Sequence, residues 1–181
     1  MKEITVNECI TLRPLQTDDA NDIFQTIHSQ RDYLRPWLPF VDFTQQISDT
    51  EIFIQSTFDN KEIIFTLRYQ NDFAGLIGFK DIDTQNKKIE VGYWLSFPFQ
   101  KKGIVSLSLQ AIINHAFTNM DMNRIQIKCA VQNIPSNRIP QRLNFRFEGI
   151  ERDGELLSDG NFTDLNIYSI LRKDWENKST L

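Results

Sequence analysis

The stretch YWLSFPFQKKGIVSLSLQAIINHAF, residues 93–117, carries an apolar strand into Pro98, crosses a basic turn, and enters a helix with no Ser, Thr, Asp or Asn just ahead of it. Val105, Leu109, Ile112, Ile113 and Ala116 recur at helical spacing and predict one apolar face packed on a sheet. A strand that feeds a glycine-containing turn into a helix leaves the first backbone N–H groups without partners. The helix dipole, the close approach that Gly103 permits and the charges of Lys101 and Lys102 would then favour an anion such as a diphosphate. Taken alone, a lysine-rich turn before a helix is more often solvated surface than a phosphate site.

Outward from this stretch, strands and helices mix without a regular βα repeat. CITLRPL (9–15) reads as a first strand. Ala20, Ile23, Phe24 and Ile27 mark a helix over 17–30, and SDTE (48–51) matches a capping box opening a second. Ile63, Phe65, Leu67 and Tyr69 alternate, FAGLIGF (73–79) follows, and Ile89, Val91, Tyr93 and Leu95 alternate again, which predicts an antiparallel meander. After the helix of the opening stretch come a strand through Ile125, Ile127, Cys129 and Val131, a short helix at 135–143, and strands near 145–152 and 162–171. The expected order is βααβββαβαββ.

With 181 residues, 40% of them hydrophobic, the chain suits one domain spanning 1–181, and no linker, repeat or low-complexity tract divides it. A formal net charge of -4 argues against nonspecific binding to nucleic acid or to an anionic membrane. The N-terminal residues resemble neither a signal peptide nor a membrane helix, so the expected location is the cytoplasm. Cys9 and Cys129 lack the spacing of a zinc site, and His28 and His115 have no partners at metal-ligand spacing; no metal is expected.

A second motif, NIPSNRIPQRLNF (133–145), follows the strand at 125–131. With it the sequence resembles the GNAT acetyltransferases. FQKKGIV is similar to that family's Q/R-x-x-G-x-G/A motif, and NIPSNRIPQRLNF to the N-x-x-S-x-x-x-P-x-R-x-G-F of its RimJ/RimL-type protein N-acetyltransferase branch. VGYWLSF and RDGELLSDGNFTDLNIYSIL also match that branch. The resemblance implies an α/β (α+β) GNAT fold: a mostly antiparallel mixed sheet flanked by helices, its strands at 89–96 and 124–131 splayed apart. It implies acetyl-CoA as cosubstrate, its diphosphate held by Gln100, Lys101, Lys102, Gly103, Ile104, Val105 and Ser106. Trp94 and Leu95 would bond the pantetheine arm largely through their backbone, and Asn133 and Asn137 would complete the cosubstrate site. The sequence departs from the pattern at Val105, where a small residue is usual, and at Asn144, where glycine is usual. Asparagine tolerates a left-handed backbone better than most residues.

Acetyl transfer requires a neutral amine, stabilisation of the thioester oxygen and a protonated leaving thiol. An α-amino group of pKa about 8 is roughly a tenth neutral at pH 7, so a modest base suffices. By resemblance that base is Glu155, acting through water, with Ser136 as proton donor to the sulfur; Pro140 stands where many members carry a tyrosine for that task. From the residues alone, Glu155 after an Asp-Gly pair reads as a solvated hairpin residue and Ser136 as a helix cap, while Glu90 remains a second candidate base. The implied acceptor is a primary amine, favoured as a protein N-terminus such as that of a ribosomal protein, and a peptide acceptor predicts an open, acidic groove. Polyamines or aminoglycosides are the alternative acceptors, and a silent acetyl-CoA-binding sensor is the alternative outside catalysis. Trp37 and Phe40 lie where such enzymes shape the acceptor entrance, and a homodimer is expected by analogy.

Overall fold

Alternating apolar residues build β3 (Ile63–Tyr69), β4 (Asp72–Asp83) and β5 (Lys88–Leu95) into an antiparallel meander at the centre of a computed structural model that describes residues 2–177. With β1 (Ile4–Thr5), β2 (Ile10–Pro14), β6 (Arg124–Ala130), β7 (Arg146–Leu156) and β8 (Phe162–Leu171) they form one eight-stranded sheet, ordered β1-β2-β3-β4-β5-β6-β8-β7. Every pairing is antiparallel except that of β5 with β6. The helices are α1 (Ala20–Ser29), α2 (Arg31–Leu34), α3 (Ile47–Asp59), α4 (Ile104–Thr118), α5 (Ile134–Arg142) and α6 (Arg172–Glu176).

The centre of the sheet is buried on both faces. Leu109, Ile112, Ile113 and Ala116 of α4 are fully buried against Leu12, Leu67, Ile77, Phe79, Ile89, Val91 and Ile125. Burial on this scale is worth about 1.5–3 kcal/mol for each large aliphatic side chain. On the opposite face Ile23 and Ile27 of α1 and Ile54 of α3 enclose Leu76 and Trp94. The alternation of β5 therefore sends Ile89 and Val91 toward α4 and Trp94 toward α1 and α3.

One discontinuity positions the site. The parallel ladder of β5 and β6 holds only at Lys88↔Arg124, Ile89↔Ile125 and Glu90↔Gln126. Beyond Glu90 the two strands diverge, as the resemblance implied, and β5 continues on β4 alone as far as Leu95. One edge of β5 thus presents unpaired backbone groups toward a gap.

The expected order lacks three observed elements, β1, α2 and α6, each too short to imprint a period on the sequence. The second long helix also opens earlier than SDTE suggests: it starts at Ile47, and the Asp49 carboxylate accepts from the amides of Gln45 and Gln46 at 2.8 and 2.9 Å. The Asp-Gly pair at 153–154 is not a hairpin end. It is a bulge inside β7, with the chain reversal falling at 157–161.

At the sheet's far end, Arg124 and the Ser169 hydroxyl, each at 2.7 Å from Glu148 Oε1, hold that carboxyl at about 2, below its ordinary 4.5, with the Arg124 hydrogen bond the largest cause. A lowered folded-state pKa gives stability that is present above the unfolded value and lost as pH falls through the folded one. Glu148→Gln is therefore expected to cost about 1 kcal/mol at pH 6, after solvent screening, and almost nothing at pH 2. Denaturant unfolding of both proteins at the two pH values measures this; an equal cost at both would exclude the ion pair as its source.

Candidate active site

Two cavities, of about 410 and 420 Å³, open on either side of the gap beside β5 and share Trp37, Leu38, Tyr93, Trp94, Asn133 and Ser136 as lining. The second holds the start of α4. Gly103 is the residue before the helix and adopts φ 74°, a left-handed conformation that glycine reaches without steric cost. No side chain caps the helix, and the first amide bonded back is that of Leu107, to Gly103 O at 3.0 Å. The amides of Ile104, Val105 and Ser106 therefore have no partner among the described residues, and all three residues line the cavity with Gln100, Lys101 and Gly103. The turn ahead is fixed from outside: Gln30 donates to Ser96 Oγ and accepts from the Phe97 amide, both at 2.8 Å, and Gln100 donates to Tyr33 OH.

Two expected members sit elsewhere. The Lys102 ammonium lies over the rings of Tyr69 and Phe99, 4.6 and 5.3 Å from their centroids, so its charge is held by aromatic faces and not by the cavity. Asn137 is buried and lines neither cavity. Its Nδ2 donates to Ala130 O and Asn133 O, both at 2.8 Å, and its Oδ1 accepts from Asn166 and Tyr168 at 2.7 and 3.0 Å, which uses its full hydrogen-bonding capacity in tying α5 to β6 and β8. In their place Arg138 and Arg142 bring cationic side chains to the second cavity from one face of α5, at a spacing of four residues that the sequence displayed. Val105 is buried and lines the cavity, and Asn144 stands at φ 58°, the conformation its glycine-like position requires.

The first cavity holds the carboxylates. Glu155 projects from β7 directly after the bulge, where Asp153 is left-handed at φ 50°. A Cβ at Gly154 would lie 2.8 Å from the Leu165 side chain, so the bulge closes only with glycine there. Glu155 is half-buried on the cavity wall and makes no ion pair or side-chain hydrogen bond among the described residues. Burial raises its pKa, Lys80 pulls it down, and the charge of Glu90 raises it. Glu90, by contrast, is occupied: Lys80 Nζ lies at 2.9 Å, Lys128 Nζ at 3.9 Å, and Gln126 donates at 3.3 Å. Glu62, its pKa also raised mainly by burial, completes a lining that includes Trp37, Phe40, Thr50 and Phe53. This lining is largely apolar with nearly balanced charges, not the acidic groove expected for a peptide.

Ser136 sits at the junction. Asn133 caps α5 by accepting from the Ser136 amide at 3.3 Å, which orients the first turn. The serine hydroxyl meets Cys129 Sγ at 3.2 Å and the Tyr93 hydroxyl at 3.4 Å. Periodicity marks Tyr93 and Cys129 only as strand residues, so nothing local in the sequence brings them to Ser136. Among the described residues no group of three or more His, Cys, Asp or Glu side chains could hold a metal ion, and no helix is long and apolar enough to cross a membrane.

Known proteins resemble this chain in sequence and fold. A family model described as an acetyltransferase (GNAT) domain matches residues 10–146. A protein of Bacillus subtilis (strain 168), YdaF, provisionally named a ribosomal N-acetyltransferase, is 35% identical over 94% of this chain and 96% of its own. The ribosomal-protein-serine acetyltransferase of Escherichia coli (strain K12) is 31% identical over 92% and 94%. Among solved structures, RimL, a ribosomal L7/L12 α-N-protein acetyltransferase in complex with coenzyme A disulfide-linked to one of its cysteines, superposes with a TM-score of 0.90 at 28% identity, covering 95% of this chain and 99% of its own.

Proposed function

From the premise that the chain belongs to the GNAT acetyltransferase family and is an acetyl-CoA-dependent N-acetyltransferase, we propose that its acceptor is the α-amino group of a protein N-terminus, in particular of a ribosomal protein. The observation that carries this reading is the unpaired, half-buried Glu155 in a mostly apolar cavity. A single α-amine, already roughly a tenth neutral at pH 7, needs one modest base and a cavity that accepts short side chains. Among the described residues Glu62 and Glu155 are both free of ion pairs in this lining while Glu90 is neutralised by Lys80 and Lys128, so the choice of an α-amine over a polyamine rests on the relatives. The names of the two bacterial relatives, both pointing to ribosomal acceptors, favour the same choice.

In this reading the free amides of Ile104, Val105 and Ser106 bind the diphosphate at the positive end of α4. Gln100, Lys101 and Gly103 shape that cradle, with Lys102 supplying backbone only. Arg138 and Arg142 add charge for the remaining phosphate, and Asn133 fixes the start of α5. The pantetheine arm lies along the open edge of β5 and bonds the backbone at Trp94 and Leu95. This threads the thioester through the junction of the two cavities. Glu155 takes the amine proton through water, and Ser136 meets the departing sulfur. Asn137 supports the site through α5.

The test is free-thiol release from acetyl-CoA on adding N-terminal peptides, among them one beginning with serine, with polyamines and aminoglycosides in parallel. Release driven by peptides with free N-termini, and absent from N-acetylated copies, is the expected result. Release driven only by small amines would replace the acceptor assignment.

A further inference from the structure

The Tyr93 side chain ends where the two cavities meet, and its hydroxyl donates to the carbonyl oxygen of Ser136 at 3.2 Å. The Ser136 hydroxyl lies 3.4 Å from the same phenol oxygen and 3.2 Å from Cys129 Sγ. Three elements, β5, α5 and β6, thus converge a phenol, an alcohol and a thiol on one point. Tyr93 and Ser136 line both cavities, whereas Cys129 lines only the first.

The acidities of these groups divide the work. A hydroxyl comparable to water, whose pKa is about 15.7, cannot surrender a proton to a thiolate of pKa about 8.5 and remain an alkoxide. Ser136 can pass a proton on only if its own is replaced. Burial holds the Tyr93 phenol well above its usual value, so it is a weaker acid than a free phenol and keeps its proton throughout neutral pH.

Resting on the reading of Ser136 as the group that meets the sulfur, we infer that Tyr93 is a positioning residue for acetyl transfer: it accepts from the Ser136 hydroxyl while donating to the Ser136 carbonyl, and so fixes that hydroxyl at the cavity junction. As the tetrahedral intermediate collapses, the C–S bond breaks with its electron pair on sulfur. The Ser136 proton moves to sulfur. The proton that the acceptor nitrogen gave up to Glu155 returns through solvent to Ser136 Oγ, so the cycle closes without net charge and the Tyr93 phenol keeps its own proton. Cys129 Sγ, 3.2 Å from Ser136 Oγ, packs against the same hydroxyl. The tyrosine that many family members carry on the helix itself is replaced here by Pro140, and the phenol comes from a strand.

The experiment is a double-mutant cycle with acetyl-CoA and whichever amine gives the fastest thiol release. Tyr93→Phe is expected to lower kcat about tenfold while leaving KM for acetyl-CoA within about twofold, and to add less than about twofold in a Ser136→Ala background. Losses that multiply, or a Tyr93→Phe enzyme with full kcat, would overturn the inference. A Ser136→Ala enzyme with full kcat would show instead that the underlying reading of Ser136 has failed, and Tyr93 with it. If Tyr93→Phe does not fold, Tyr93→Met removes the hydroxyl with a flexible apolar side chain in its place, and full kcat in that variant overturns the inference.

Discussion

Replacing Gly103 with proline is expected to weaken acetyl-CoA binding by at least about 100-fold, to the point of loss in a calorimetric titration. Proline fixes φ near −65°, whereas Gly103 stands at φ 74°. The mismatch of about 3 kcal/mol or more falls on the residue that orients the open amides of Ile104, Val105 and Ser106. The apolar face of α4, buried from Leu109 to Phe117, keeps the rest of the helix in place, so circular dichroism should remain close to that of the unaltered protein. Gly103→Ala separates backbone angle from bulk. A Cβ there would meet only Leu107 Cδ1, at 3.9 Å, so its cost is the left-handed conformation alone, about 1–2 kcal/mol, or roughly tenfold in affinity. Unchanged affinity in the proline variant would remove the helix start from the binding site.

Glu155→Gln is expected to lower kcat on the order of 100-fold while acetyl-CoA affinity stays within about twofold. The two cavities separate these effects, because Glu155 lines the first and the diphosphate cradle the second. The pH dependence adds a signature. A base works deprotonated, and burial raises the carboxyl of Glu155, so activity should climb with pH through a value above the usual carboxylate range. The glutamine variant should lack that limb. A variant with full turnover, or one that keeps the acidic limb, would transfer the role to another group. Glu90 is the next carboxylate on that wall, but Lys80, Lys128 and Gln126 already engage it.

What was legible in the sequence follows from the range of each interaction. The long elements announce themselves through periodicity: α4 through its apolar face, and β3, β4 and β5 through alternation. The left-handed Gly103 and the open helix start are local, and a short stretch of sequence carries both. From its neighbours alone Glu155 reads as a hairpin residue, because Asp153-Gly154 normally ends a hairpin. Only the packing of Gly154 on Leu165, a contact with the paired strand β8, turns the pair into a bulge that aims Glu155 at the cavity. Where the Lys102 charge goes is not legible locally, because the rings that hold it, Tyr69 and Phe99, belong to β3 and to the turn. Asn137 looked like a ligand contact, yet its four hydrogen bonds go to Ala130, Asn133, Asn166 and Tyr168. The meeting of Tyr93, Cys129 and Ser136 depends on how far β5 and β6 have separated by those residues, which no pattern within either strand encodes.

The ladder between β5 and β6, limited to Lys88–Glu90 opposite Arg124–Gln126, also divides the molecule mechanically. Five strands lie on one side of that seam and three on the other. Across that seam the two leaves are joined by the apolar core under α4, which takes in Leu12 and Val91 from one and Ile125 and Tyr168 from the other, and by the Tyr93 hydroxyl reaching Ser136 O. In the reading proposed above, a cosubstrate threaded between the leaves would stand in for the missing rungs. Slower amide exchange in β5 and β6 on adding acetyl-CoA is then expected, and unchanged exchange would count against that placement.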